Sequence, residues 1–457
     1  MATVEDMPSD SPAPPADARR DRRSVLVWAA LIAAAAVLPI MMGKDFRDRL
    51  VAEAAPLFGR IEPHVGVGTV PAVVIGAVVV LWGPAAARRL SLGRLAALST
   101  VVLFLWSLSL GTVSGWQRFA TKLTGYDQYL HEVPGARGDV AGAVREFARR
   151  IPDYQPDSWT VHVSGHPPGA LLTFVWLDRI GLGGGTWAAL FCVAAGASSA
   201  AAILVTVRAL AGADTARAVA PFAAVFPGAL WMAPSGDAYF AGVAAWGIAA
   251  LALAATSGGR RAVGFGVAAG LILGWAIFLN YGLILMGVMA VAVLLIARNP
   301  RPLLTAIPAA LLVVAAFAVA GFWWLDGYNA VVVRYYQGIA SFRPFAYWGW
   351  ANLAAAACAF GPAGAAAIGR IRDGRWRTPL LGRPAALLGL VAAAVLMMLA
   401  ADLSALSKAE VERIWLPFTV WIAAGAGLVR SGGGARAWLA VQVAGALVIA
   451  HVLMIYQ

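Results

Sequence analysis

The chain is predicted to be an all-α polytopic membrane protein, and three observations carry that reading. Hydrophobic residues make up 61% of the 457 residues and charged residues only 13%, whereas charged residues approach about a quarter of a soluble domain. The apolar residues fall in windows of roughly 15 to 25, close to the ~20 that cross a bilayer as a helix. Between the windows, short arginine-rich connections alternate with long loops in which acids and bases balance and aromatic residues gather.

Residues 1–23 are rich in Pro and Asp (Asp10, Pro12, Pro14, Pro15, Asp17) and end in Arg19, Arg20, Arg22 and Arg23. They read as a disordered cytoplasmic tail with a basic cluster that orients the first span. A cleaved signal is not expected, because the apolar stretch is long and no small-residue cleavage site follows it. Residues 24–457 then form a single transmembrane domain. Spans are expected at 24–43, 70–87, 95–115, 186–207, 218–233, 238–256, 262–280, 282–297, 303–325, 350–369, 384–401, 414–429 and 437–456, about thirteen crossings in all, each free of Asp, Glu, Lys and Arg. The run Ala194–Ala202 is built of small residues that suit close helix packing.

One segment decides the register. Pro167–Leu182 is apolar but short, and it carries Asp178 and Arg179. Were it to cross, Arg260, Arg261, Arg298, Arg301 and the arginines of 370–383 would all change sides. It is therefore expected as a juxtamembrane helix opened by its two prolines, inside a large outer loop at 116–185. The connections carrying Arg88, Arg89, Arg94, Arg208, Arg217, Arg260, Arg261, Arg298, Arg301, Arg370, Arg372, Arg375, Arg377, Arg383, Arg430 and Arg436 then all lie on the cytoplasmic side, with only Asp214 and Asp373 among them. The net charge of +12 is thus a topology signal rather than a nucleic-acid footprint.

Several functions are excluded. There is no CxxC, no phosphate-binding loop and no glycine-rich dinucleotide fingerprint, and no soluble segment is long enough for a nucleotide-binding fold. Cys192 and Cys358 fall in separate spans and offer neither a disulfide pattern nor metal-ligand spacing.

With this topology, the polar groups collect on the outer face. They are Tyr126, Asp127 and Tyr129 (GYDQY), His162 and His166 (HVSGHPPG), Asp237 (PSGDAYF), Asn280 with Tyr281, Arg334 with Tyr335 and Tyr336, and Lys408, Glu410, Glu412 and Arg413 (SKAEVERIW). Ionisable groups at membrane depth or at its rim are costly and point to function. Each has a structural alternative. Asp127 can cap a helix or pair with Arg118 or Lys122; His166 can cap the helix that follows it; Asp237 can be an N-cap. Lys408 and Glu412 stand four apart, as a surface pair would, and Glu410 or Asp402 can neutralise Arg413. Tyr335, Tyr336, Trp348 and Trp350 suit an interfacial aromatic belt.

An outer-loop acid, an HPPG turn opening a short apolar helix about forty residues on, and an acid at the outer end of a later helix together resemble the GT-C superfamily of integral-membrane glycosyltransferases, of actinobacterial type in the run SKAEVERIW. The matching positions are Asp127, His166–Gly169 and Asp237. The chain departs from that plan in placing its large loop after the third span and in reducing the paired acid to Asp127 between Tyr126 and Gln128.

The resemblance implies transfer of a sugar, such as a mannosyl or arabinosyl unit, from a polyprenyl-phosphate donor to a cell-envelope glycan or glycolipid acceptor at the extracytoplasmic face of the plasma membrane. Asp127 would be the general base, with Asp45 and Asp48 of the earlier loop as competitors. Arg413, Lys408 and Arg334 would hold the leaving phosphate, and Tyr126, His166, Asp237, Tyr281 and Glu412 would support them. No cofactor is required; a divalent cation is compatible but not indicated, since His162 and His166 form a weak ligand set. The partners are then the lipid-linked donor, the acceptor and membrane lipids, with no nucleic acid. The competing reading is a multi-pass transporter or flippase for a lipid or polar solute, which would place broken helices and polar groups near the bilayer midplane.

Overall fold

The computed structural model describes residues 15–373, 378–429 and 434–455. It is a helical bundle in which, among the described residues, eight helices are long and apolar enough to cross a membrane: Asp17–Met41, Thr69–Arg89, Leu92–Gly111, Gly185–Ala211, Gly236–Thr256, Phe345–Arg372, Ala385–Leu403 and Gly434–Val452. A ninth results if Leu303–Val319 and Trp324–Gln337, bent by 72° at their junction, count as one span. The expected thirteen apolar windows are all helical, but the others are shorter or broken. Ala213–Ala224 stops at Val225 and resumes as Ala229–Met232; Tyr281–Ala297 and Leu416–Leu428 are short. The helix Gly259–Ala276 opens on Arg260 and Arg261. Hydropathy finds an apolar window; Pro, Gly and polar breaks decide how much of it is one straight helix.

Two local expectations meet the structure directly. The first helix begins at Pro15, so residues 15–23, expected as disordered tail, are helical, while 1–14 lie outside the described residues. Proline at the helix start, Asp17 in the first turn and good helix-forming arginines explain it. Asp21 is buried against Arg370 at 2.6 Å, which anchors this end. Arg375, Arg377 and Arg430, assigned above to cytoplasmic connections, also lie outside the described residues. The segment Pro167–Leu182 forms the helix Pro168–Arg179, with proline at its first turn. Its twelve residues are too few to cross. Most of them are buried, and Arg137 pairs with Asp178 at 2.7 Å to close the loop over it.

The central helix, Gly236–Thr256, is buried along most of its length. It packs backbone to backbone on Gly185–Ala211, where Gly196 faces Ala238 and Gly242 faces Ala195, so a Cβ at either glycine would collide. Two breaks face each other inside the bundle. Gly361 takes a φ of +69° in the helix Phe345–Gly369. There Gln442 Nε2 donates to the Phe360 carbonyl at 3.0 Å, and the Ala363 N–H donates to Gln442 Oε1 at 3.3 Å. The Gly228 N–H, at the other break, donates to the Ala359 carbonyl at 2.7 Å. The freed backbone groups are thereby satisfied, as apolar surroundings require.

The long connections 42–68, 112–184, 320–344 and 404–415 meet one another, through Arg343 with Val51 and Lys408, Arg334 with Asp153, and Phe58 with Glu412; the arginine-bearing connections form a separate group, through Arg217 with Ala87 and Leu90, Gly382 with Leu210, and Arg370 with Asp21 and Leu428. A two-stranded antiparallel pairing of Gly59–Ile61 with Leu453–Ile455 ties the first long connection to the last helix.

Candidate active site

The loop 112–184 supplies the first wall. Asp127 stands just before the helix Tyr129–Gly138, and its carbonyl accepts from the His162 N–H at 3.0 Å and from His162 Nδ1 at 3.1 Å. That contact puts the His162 proton on Nδ1, leaving Nε2 to accept from Gln128 Nε2 at 3.4 Å. Burial, reinforced by Arg413 and His166, pushes His162 down to about 3, so it is neutral at physiological pH. The Asp127 carboxylate, 3.7 Å from His162 Nδ1, therefore faces a neutral ring and remains partly accessible. His166 Nδ1 donates to the His162 carbonyl at 2.7 Å and lies 3.0 Å from the Tyr129 hydroxyl. Burial lowers its pKa as well.

Asp237 forms the floor. Ser235 caps its helix through the Ala238 N–H at 3.2 Å, so the capping alternative for Asp237 falls away. Buried at 3% exposure, the Asp237 carboxylate meets Arg413 Nη1 at 3.2 Å. Arg413 Nη2 meets Glu410 at 2.9 Å, and Glu410 also faces Arg343 at 3.4 Å. Burial acts to raise the Glu410 pKa, but the guanidinium groups of Arg413 and Arg343 outweigh it and hold the carboxyl below its usual range.

The segment carrying Glu410 is pinned in a strained form. Ala405, Ala409 and Glu410 have φ of +57°, +73° and +63°, a conformation that non-glycine residues adopt only when their surroundings impose it. Asn352 imposes much of it. Its Nδ2 donates to Asp402 at 2.8 Å and to the Ser407 carbonyl at 2.7 Å, while its Oδ1 accepts from the Ala409 N–H at 3.1 Å. Arg343 adds bonds to the carbonyls of Lys408 at 2.7 Å and Val51 at 3.1 Å.

Lys122 completes the site. Asp237 and Glu410 are matched in charge by Arg413 and Arg343, and no hydrogen bond or ion pair engages the Lys122 side chain among the described residues. Burial, with Arg413 next, drives its amine pKa well below the usual value, while Asp237 and Glu410 pull it back up. It is a surplus basic group beside a balanced cluster.

The nominated residues divide between this cluster and other places. Asp127, His166, Asp237 and Arg413 come together, and Glu412 lies beside them. Glu412 is buried at 2% exposure and accepts from the Phe58 N–H at 2.9 Å. Its pKa is pushed up to about 7, chiefly by burial. Lys408 turns away, its Nζ donating to the Ala340 carbonyl at 3.0 Å. Its suggested pairing with Glu412 does not form. Arg334 is held by Asp153 at 2.5 Å. Tyr281 packs against Trp324 and Tyr328, away from Arg413, and Tyr126 points outward at 82% exposure. Asp45 and Asp48 lie exposed on the short helix Lys44–Leu50, and Asp48 lines a separate cavity. Among the described residues, no group of three or more His, Cys, Asp or Glu is arranged to hold a metal.

Tyr129 and Arg343 were given no role from sequence, although Tyr129 lies in the run GYDQY. Lys122 was named only as an alternative partner of Asp127 and His162 only within a weak ligand set, whereas Glu410 was named as one of two groups able to neutralise Arg413, which it pairs with at 2.9 Å. Lys122 and Arg343 sit in FATKLTG and SFRPF, which look like ordinary interfacial sequence.

No family model matches the chain, and no curated protein matches it. Among solved structures, ArnT from Cupriavidus metallidurans in the apo state is similar over 66% of this chain and 56% of its own, at 19% identity and a TM-score of 0.42. The Archaeoglobus fulgidus oligosaccharyltransferase in its apo form is similar over 81% of this chain and 57% of its own, at 10% identity and a TM-score of 0.49. Its complex with Zn and sulfate covers 78% and 51%, at 14% identity and a TM-score of 0.40. The chain spans little more than half the length of each.

Proposed function

We propose that the chain is a membrane glycosyltransferase that moves a sugar from a polyprenyl-phosphate donor to an acceptor hydroxyl at the extracytoplasmic face. One observation carries this reading: Lys122, Asp127, His162, Asp237 and Arg413, from separate segments of an apolar bundle, gather at the end away from the arginine-rich connections. A purely structural bundle has no need to gather such a cluster around the buried Asp237.

The geometry supports one assignment of roles. Asp127 takes the proton of the acceptor hydroxyl as that oxygen forms a bond to the anomeric carbon. The bond from that carbon to the phosphate oxygen breaks, and the electron pair leaves with the polyprenyl phosphate. Arg413, fixed by Asp237 and Glu410, and Lys122, which has no carboxylate of its own, stabilise the departing anion. An arriving phosphate also supplies the charge that lets Lys122 take up a proton. Neutral His162 fixes the Asp127 backbone without neutralising its carboxylate.

Transport is the less supported reading. It would use the helix breaks at Val225–Gly228 and Gly361, but Gln442 and the Gly228–Ala359 bond close both. The test is the acceptor-dependent release of polyprenyl phosphate by the purified chain in lipid nanodiscs, compared with Lys122→Ala and Lys122→Arg. The reading expects weaker donor binding in Lys122→Ala, recovery in Lys122→Arg and little change in melting temperature. Donor movement across the bilayer without bond cleavage would favour transport instead.

A further inference from the structure

A cavity of about 640 Å³ lies beside the cluster, lined by Lys44, Arg47, Asp48, Ala52, Glu53 and Phe58. That volume falls within the roughly 300 to 1,000 Å³ of small-ligand sites. Its ionisable lining residues are exposed, and among the described residues the side chains of Lys44, Arg47, Asp48 and Glu53 form no hydrogen bond or ion pair. Two bases and two acids leave the lining without net charge. A phosphate would find its cations offset, whereas a polyol, whose hydroxyls both donate and accept, could use all of them. Phe58 adds an aromatic ring to the lining.

The cavity is also joined to the cluster. Its Phe58 N–H donates to Glu412, the residue before Arg413, and the Phe58 ring lies 5.4 Å from the Arg343 guanidinium. Arg343 reaches the Val51 carbonyl with one nitrogen and Glu410 with the other.

We infer that this cavity is the acceptor subsite and that it takes a neutral, polyhydroxylated sugar terminus. The inference rests on the transfer reading above, and it separates acceptor recognition, through the segment 44–58, from the phosphate held at Arg413 and Lys122.

The test uses saturation-transfer NMR on the full chain in nanodiscs, with free methyl α-D-mannopyranoside and a methyl arabinofuranoside as probes and inorganic phosphate as contrast. Two variants bear on the cavity: the exposed pair Arg47→Gln with Glu53→Gln, which leaves the fold alone, and Ala52→Leu, which narrows it. Saturation of at least one glycoside, weakened about tenfold or more in both variants and not displaced by phosphate, is the expected result. No transfer to either glycoside, transfer unchanged in the variants, or displacement by phosphate would overturn the inference. Glycoside binding without donor turnover would support the subsite while removing the transfer reading. Turnover with an unchanged acceptor KM in the Arg47→Gln, Glu53→Gln chain would overturn the subsite and leave that reading intact.

Discussion

Arg413 Nη1 lies 3.2 Å from Asp237 Oδ2, a contact that ties the strained segment before Leu416–Leu428 to the first turn of the largely buried helix Gly236–Thr256. The guanidinium is shared with Glu410 at 2.9 Å, so it has an architectural role whether or not a ligand is present.

Arg413→Gln should therefore lower stability as well as activity. It strands the Asp237 carboxylate in a buried position, and removing one partner of a buried pair costs about 3 to 5 kcal/mol. Melting in detergent should show a large drop, partly recovered by Asp237→Asn in the same chain. An unchanged melting temperature would mean that the contact does not hold this end together.

Glu412 should make stability depend on pH near neutrality. Its carboxyl titrates near 4.5 in the unfolded chain and at about 7 in the folded one. Between those values the folded state holds a proton that the unfolded state has released, so stability falls as pH rises. The stabilisation is full below about 4.5, is lost as pH rises through about 7, and is on the order of 3 kcal/mol. Glu412→Gln should flatten the melting profile across this window. A parent chain whose melting temperature rises or stays level from about pH 5 to about pH 8 would contradict the assignment.

Orientation can be read from thiol labelling in intact cells. Arg260 and Tyr154 are both exposed and lie at opposite ends of the bundle, while the native Cys192 and Cys358 are buried. A cysteine replacing Tyr154 should react with an impermeant reagent, and one replacing Arg260 should react only after permeabilisation. The reverse pattern would move the cluster to the cytoplasmic face.

The helical architecture was legible because bilayer thickness imposes a window length on sequence, and the position of Pro167–Leu182 followed from its length and its charges. The broken helices were not read from sequence: Gly361 precedes Pro362, a step that breaks a helix, but whether a span tolerates it depends on the remote Gln442 that satisfies the freed backbone groups. Within the site, Asp127, His166, Asp237 and Arg413 stood out as polar groups in apolar surroundings. Arg334 and Tyr281 stood out for the same reason, but Asp153 and the Trp324–Tyr328 stack claim them. Membrane depth can be read along one helix; which neighbour a side chain meets depends on contacts between distant segments. Lys122 was named only as a partner for Asp127, because its place beside Asp237, Glu410 and Arg413, all remote in sequence, is not legible along the chain.

The central claim is that the Asp127 carboxylate removes the acceptor proton during transfer. The most direct measurement is the single-turnover rate of sugar transfer from a polyprenyl-phosphate donor by purified parent, Asp127→Asn and Asp127→Glu chains, with donor binding and melting temperature followed in the same samples. The account predicts a rate loss of about 10² to 10⁴ in Asp127→Asn, partial recovery in Asp127→Glu, and unchanged donor binding and melting. Full transfer by Asp127→Asn would contradict it and would turn attention to Asp48 in the neighbouring cavity.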